Sequence, residues 1–225
     1  MSPTYRHPRP MVTVDVVVMA MPRERLEVLL IKRKRPPFRG RWAIPGGFIE
    51  MREELEDAAR RELAEETGVA AGDLLPFGVF AAPGRDPRGR TVSVAYLALC
   101  ADLPPPVAGD DAAEAEWFAL DSLPPLAFDH VEVLREARQS LRELAEREVA
   151  VFGLLPRHFT MARLRGLYQQ ILGQELDPQR FRRRMLGSGV LERSSRREGA
   201  AILYRLSRRA SNRAAPAPFL RPYTS

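Results

Sequence analysis

Residues Gly47–Val69 read GFIEMREELEDAARRELAEETGV. From Glu54 to Thr67 this stretch has no Pro or Gly and is dominated by Ala, Glu, Leu and Arg, so it predicts a helix, and Gly68 stands where a helix should stop. At about 100° per residue, Glu62, Glu65 and Glu66 share one face of that helix. Three carboxylates so close repel one another. A hard divalent cation such as Mg²⁺ or Mn²⁺, which takes oxygen ligands and is commonly shared with phosphates, relieves that repulsion. Arg61 lies beside the acidic face and is placed to pair with Glu53. Gly47 lets the backbone approach closely and offers its carbonyl. A solvated, salt-bridged helix would look similar on its own, but Gly46-Gly47 before it and Gly68 after it favour a site.

Around this helix, strand-like and turn-like segments alternate. Val12–Met19 and Leu26–Ile31 are rich in β-branched and aliphatic residues and predict strands. The basic stretch KRKRPPFRGR and a short extended piece, Trp42–Pro45, lead into the glycines. Phe77–Ala81, Thr91–Cys100 and Ala115–Leu120 are further expected strands, with the polar loop APGRDPRGR before the second of them. Arg39, Arg41, Arg85, Arg88 and Arg90 flank the helix in sequence, and their guanidinium forks suit phosphate. Solvated loop charge is an equally good reading of each taken singly. Trp42 and Phe48 are candidates to stack a base, though such rings are more often core. Glu114 and Glu116 are candidate general bases by position only. Val131–Glu148 predicts a long helix at a domain junction.

The net charge of +6 is unevenly spread. Residues 151–225 hold 15 arginines and no lysine against four acids, a net of +11, which leaves 1–150 at −5. That segregation predicts two domains with different partners, the basic one suited to nucleic acid. The single cysteine, Cys100, rules out an internal disulfide and reads as a small core residue. MSPTYRHPRP lacks the organisation of a signal peptide, and the apolar run after it is short and contains Asp15. A cytoplasmic protein with no membrane partner is expected.

The basic part has its own pattern. Thr160 can cap a helix that runs to about Leu172 and stops at Gly173. Asp177-Pro178 is an N-cap followed by Pro at the first helical position, opening a helix to about Leu186. On that second helix Arg180, Arg183 and Arg184 share a face and Phe181 and Met185 share another. Arg182 projects nearer the apolar side. Val190–Arg193 and Ala201–Leu206 then pair around a polar tip. Helix, turn, helix and basic hairpin predict a winged helix-turn-helix, with the arginines of the second helix reading a major groove. Arg193, Arg196 and Arg197 sit on the wing, and Thr160 and Arg163 at the first helix are placed to anchor phosphate. Residues 210–225 read as a disordered tail.

The fixed positions Gly47, Glu53, Arg61, Glu62, Leu63, Glu65, Glu66, Gly68 and Val69 satisfy G-x5-E-x7-R-E-U-x-E-E-x-G-U throughout, and this resembles the Nudix box. In that family the residues matching Glu62, Glu65 and Glu66 bind metal, and the cluster activates water for attack on a diphosphate. Over nearly its whole length the chain is similar to the Nudix-related transcriptional regulators of NAD metabolism, the NrtR family. The stretches that carry the likeness are VTVDVVV, PPFRGRWAIPGGF, DPRGRTVSVAYLAL, WFALDSLPPLAFDH and FTMARLRGLYQQILGQELDPQRFRRRML.

The resemblance implies an α/β fold: a Nudix α/β/α sandwich with a mixed sheet over 9–148, then a small α+β winged helix-turn-helix over 149–209. It implies a homodimer whose Nudix domain binds ADP-ribose, and whose winged helices leave the double-stranded DNA operators of NAD biosynthesis or salvage genes when it does. Many members of that family carry a degraded box. This one is intact, and we expect it to hydrolyse ADP-ribose with Mg²⁺. Glu53 and Arg61 then join Glu62, Glu65 and Glu66 as catalytic residues, with Gly47 and the three glutamates holding the metal. Two alternatives stay open at this point: a Nudix pyrophosphatase with a basic appendage, and an RNA-directed Nudix enzyme.

Overall fold

The computed structural model describes residues 6–101, 105–109 and 112–211. Its first strand, β1 (Met11–Ala20), is buried from Thr13 onward, as a β-branched run in the middle of a sheet should be. Six more strands join it: β2 (Glu27–Arg33), β3 (Trp42–Ala43), β4 (Gly46–Phe48), β5 (Leu74–Phe80), β6 (Thr91–Cys100) and β7 (Ala112–Ala119). The order is β3-β2-β1-β6-β5, with β4 on β1 and β7 on β2. β4 runs antiparallel to β1 with Gly46 opposite Asp15 and Gly47 opposite Val14. That register brings the glycines against the buried strand.

Helix α1 (Leu55–Thr67) lies against β4 and β7. It ends at Gly68, whose φ of 67° is left-handed and whose N–H bonds the Ala64 carbonyl. Ala58, Ala59 and Leu63 are fully buried on its inner face. β5 starts earlier than the sequence pattern suggests. Pro76 breaks that pattern, and a register shift between Pro76 and Gly78 accommodates it in the pairing with β6. Helix α2 (His130–Arg147) follows β7, and Val133, Leu134 and Ala137 are buried on it.

The chain divides into two compact units. The first comprises Met1–Val18, Val28–Ala98 and Pro104–Ala137, the second Met19–Glu27, Leu99–Leu103 and Arg138–Ser225. β1, β2, β6 and α2 therefore each run from one unit into the other.

The second unit continues through a 3-10 turn, Ala150–Leu154, to β8 (Phe159–Thr160), α3 (Met161–Leu172), α4 (Pro178–Gly187), β9 (Leu191–Glu198), β10 (Ala201–Leu206) and the short α5 (Arg208–Ser211). The small sheet has the order β8-β10-β9. Thr160 caps α3 by accepting the Arg163 N–H at 3.1 Å, and Asp177 caps α4 by accepting the Arg180 N–H at 2.7 Å. Phe181 and Met185 are fully buried, as are Leu164, Leu167 and Tyr168 of α3, and the rings of Tyr168 and Phe181 stand 5.6 Å apart. β9 runs well past Arg193 because its polar residues pair through the backbone with β10, so the turn shrinks to Gly199-Ala200. Of the expected tail, 210–211 close α5 and 212–225 lie outside the described residues. Among the described residues no helix is long and apolar enough to cross a membrane.

Candidate functional site

Arg61 organises the acidic helix. Its Nε and Nη2 grip Glu53 at 2.8 and 2.9 Å, and its Nη1 reaches Glu62 at 2.8 Å and Glu65 at 3.2 Å. Its Nη2 also donates to the Phe48 carbonyl at 3.2 Å, which ties α1 to the end of β4. One guanidinium thus serves three carboxylates, and its pKa is raised by the bonds to Glu53 and Glu62. The Arg61 bond in turn holds Glu53 below its ordinary value. Glu62 behaves differently: burial lifts its pKa more than Arg61 lowers it. Its carboxyl group lies where Gly47 has no side chain, and a Cβ there would stand 2.5 Å from it. Glu66 is buried and accepts the Gly46 N–H at 2.9 Å. Glu65 is exposed.

The three glutamates share a face as the spacing requires, yet they do not close into a cage. Among the described residues no three His, Cys, Asp or Glu side chains are arranged to hold a metal ion. Arg61 draws Glu62 and Glu65 to itself and the Gly46 amide draws Glu66. The donor set nevertheless suits a hard divalent cation: all its atoms are oxygens, and Glu62 is a desolvated carboxylate that shares its one guanidinium with two others. Gly47, Glu62, Glu65 and Glu66 are the residues that would hold it.

Next to the glycines, a groove is floored by a buried polar cluster that sequence reasoning passed over. Asp15 Oδ2 accepts the Ser93 hydroxyl at 2.5 Å and stands 3.6 Å from Arg85. Asp15 Oδ1 stands 3.7 Å from His130 Nε2. His130 Nδ1 accepts the Ile44 N–H at 2.9 Å, and burial lowers its pKa despite Asp15 and Asp129. The ring is therefore neutral and carries its proton on Nε2. Above this floor, Phe128 adopts a left-handed φ of 51°, an uncommon conformation for a residue with a side chain. Its ring sits 4.9 Å from the Arg33 guanidinium and 5.7 Å from that of Arg88, which also lies 4.8 Å from Phe48. One signal in the sequence pointed here: Asp15 is an ionisable residue inside an otherwise apolar strand.

The flanking arginines divide into distinct environments. Arg85 is buried, with its fork closed on Asp129 at 2.8 and 2.7 Å rather than turned out to phosphate. Burial depresses its pKa, but Asp129, Asp15 and Asp86 outweigh that. Arg88 pairs with Asp86 at 2.7 Å, and Arg90 donates to the Ala81 carbonyl at 2.6 Å. Arg39 and Arg41 are exposed. Trp42 packs edge-on against Phe118, at 4.6 Å. Glu114 is paired with Lys32 at 2.9 Å, while Glu116 is exposed.

In the second unit, Arg180, Arg182 and Arg183 are exposed on α4 and Arg184 is half-buried. The Arg182 guanidinium lies over the Tyr204 ring, 5.8 Å from its centroid. Arg193, Arg196 and Arg197 are exposed on β9. Arg163 is half-buried, and the Thr160 hydroxyl is engaged in its cap.

Residues 9–137 match the NUDIX domain model. The chain belongs to the Nudix family. Residues 151–206 match the NrtR DNA-binding winged helix domain, so this Nudix protein is of the NrtR type, with a mixed α/β domain followed by a winged helix. It is 34% identical to the ADPR responsive transcriptional repressor NtrR of Acinetobacter baylyi over 89% of this chain and 84% of that one. It is 42% identical to an ADP-ribose pyrophosphatase of Methanocaldococcus jannaschii over 59% of this chain and 74% of that one. Among solved structures it resembles Shewanella oneidensis NrtR complexed with a 27mer DNA, at 30% identity and a TM-score of 0.72, covering 87% of this chain and 93% of that one.

Proposed function

We propose that this Nudix protein is an ADP-ribose-responsive transcriptional repressor of NAD biosynthesis or salvage genes. The observation that carries the reading is α4: a helix anchored by Phe181 and Met185 that turns Arg180, Arg182 and Arg183 to solvent, followed by a hairpin bearing three more exposed arginines. An appendage used only for dimerisation, or an unspecific RNA tether, needs neither the segregated faces nor the wing. The relatives named as an ADPR responsive repressor and as a DNA complex support it.

In this reading the protein is a cytoplasmic homodimer that binds a double-stranded operator. Its sensor spans 9–148 and its DNA-binding domain 149–209. Thr160, Arg163, Arg180, Arg183, Arg184, Arg193, Arg196 and Arg197 meet DNA, while Arg39, Arg41 and Arg88 meet ligand phosphate. Arg85 and Arg90 act from within the loop that carries Arg88. α2 is the mechanical element, since it carries His130 at its start and Arg142, which bonds the Ile171 carbonyl of α3, further along. A ligand shifts the DNA-competent population only by contacting the two states differently.

The complete box and the desolvated Glu62 favour retained hydrolysis with Mg²⁺, as the archaeal relative's name also suggests. The cation would neutralise the diphosphate and supply activated water. Arg61 and Glu53 orient the helix face, and Gly47 leaves room for Glu62.

The deciding experiment is a gel shift with DNA upstream of the gene and of neighbouring NAD genes, with and without ADP-ribose. A shift that ADP-ribose abolishes is expected. No shift at low salt, where electrostatic binding is strongest, overturns the repressor reading. With Mg²⁺, AMP and ribose 5-phosphate should appear. If none forms while Glu65→Gln binds ADP-ribose as well as wild type, the box is a receptor only.

A further inference from the structure

The second unit holds a cavity of about 290 Å³ that is lined by neither α4 nor the acidic helix. Its apolar wall includes Phe152 and Phe159, both buried, with their rings 5.7 Å apart. Its polar wall sets three guanidinium groups, Arg157, Arg205 and Arg208, against one carboxylate, Glu192. Arg157 and Arg208 are exposed, and among the described residues neither is paired with a carboxylate. Glu192 Oε1 and Arg205 Nε stand 2.8 Å apart, yet both atoms are buried and neither completes a hydrogen bond. His158 Nδ1, next in sequence to two of the lining residues, is buried without a partner as well. Desolvation, and then the fields of Arg196, Arg157 and Arg205, hold its ring below the ordinary pKa. Native interiors seldom leave polar atoms unsatisfied, and a cluster of them beside a cavity is accounted for when a guest completes them.

The cavity is not on the face that α4 covers. Arg205 stands opposite Glu192 in the pairing of β9 with β10, and Tyr204 opposite Arg193. Successive residues of a strand point to opposite faces. Arg182 of α4 lies over the Tyr204 ring, so Arg205 and Glu192 point away from α4. The volume is close to the lower end for small-molecule sites, roughly 300 Å³. A carbon ring or chain would rest on Phe152 and Phe159, and an anionic group would take the guanidinium forks.

We propose that this cavity is a second ligand site, in the second unit, for a compact organic anion: a carboxylate or phosphate joined to an aromatic or aliphatic body. The inference stands apart from the repressor reading, since none of the lining residues is assigned to DNA or to ADP-ribose.

The test is titration of the full-length protein, in chelator, with 2-naphthoate and with 2-naphthyl phosphate, followed by naphthalene fluorescence. At least one should bind with a Kd below about 1 mM, and the tighter of the two names the anionic group. Neutral 2-naphthalenemethanol, titrated alike, and inorganic phosphate, added as a competitor, should each bind at least about tenfold more weakly, since each lacks one half of what the cavity recognises. Arg157→Ala with Arg208→Ala should weaken the probe at least about tenfold. Arg209→Ala, exposed on the same short helix but outside the cavity, should leave it within about twofold. All three positions are exposed, so the fold is kept. Saturating ADP-ribose should leave the probe in place. No binding of either probe, an equal loss from Arg209→Ala, or displacement by ADP-ribose or by duplex DNA overturns the proposal. None of these outcomes alters the gel shift on which the repressor reading rests.

Discussion

Two arginine-bearing helices of this protein treat charge in opposite ways. On α1, Arg61 is folded into a hub with Glu53, Glu62 and Glu65. On α4, Arg182 and Arg183 are exposed to solvent while the apolar residues face in. A site that holds a small ligand in a fixed geometry needs its side chains positioned beforehand, so its charges are paired internally. A surface that meets a polyanion keeps its charges available, because the phosphates themselves neutralise them and release counterions. Substituting the same residue type in the two regions should therefore move different observables.

The largest effect tests whether α4 is anchored as a separate core. Phe181 is fully buried against α3, so Phe181→Ala should cost about 3–5 kcal/mol of stability, read by urea denaturation. Operator binding should vanish with it while ADP-ribose affinity holds. Joint loss of ligand affinity would break the comparison, since the sensor would then depend on the winged-helix core.

The double substitution Arg180→Ala with Arg183→Ala should leave stability within about 0.5 kcal/mol, as surface changes do. DNA affinity should fall about a hundredfold, at about 1–3 kcal/mol for each specific guanidinium contact. Arg61→Ala should do the reverse. It strands three carboxylates, so stability drops by about 1–2 kcal/mol, less than for a fully buried pair because the side chain is partly open to water. DNA binding without ligand should not change. Arg61→Lys should fail to restore the loss, because an ammonium cannot grip Glu53 at two points.

The sequence made α1 and α4 legible for one reason: each is a local pattern. Helical spacing put three glutamates on one face, and caps at Thr160 and Asp177 with the stop at Gly173 marked the ends of α3 and the start of α4. The hairpin was harder. Ser194 to Glu198 look like a turn by composition and become strand only because β10 supplies their hydrogen bonds. The groove was hardest. Asp15, Ser93, Asp129 and His130 are scattered over more than a hundred residues, and no spacing rule links them. They meet because β1, β6 and the start of α2 converge in the folded unit. The fate of Arg85 follows from the same cause, since its partner Asp129 is 44 residues away.

The smallest effect separates the two regions by pH. Both His130 and His158 have pKa values below the ordinary 6.5. For His130 burial dominates. For His158 desolvation is again the largest cause, and the positive field of Arg196, Arg157 and Arg205 adds to it. In each case the unfolded chain binds a proton below pH 6.5 that the folded protein refuses, so stability falls as the pH drops from 6.5 toward the lowered folded value. Salt should tell them apart, because it screens exposed arginines and hardly touches a desolvation cost. Unfolding free energies measured between about pH 5 and 7 should lose part of their slope in His130→Gln at both low and high salt. In His158→Gln the slope should soften at both, but more at low salt, where the arginine field adds to the desolvation. A His158 contribution that salt leaves unchanged would mean that burial alone sets it, and that the winged-helix surface is less electrostatic than its arginines suggest.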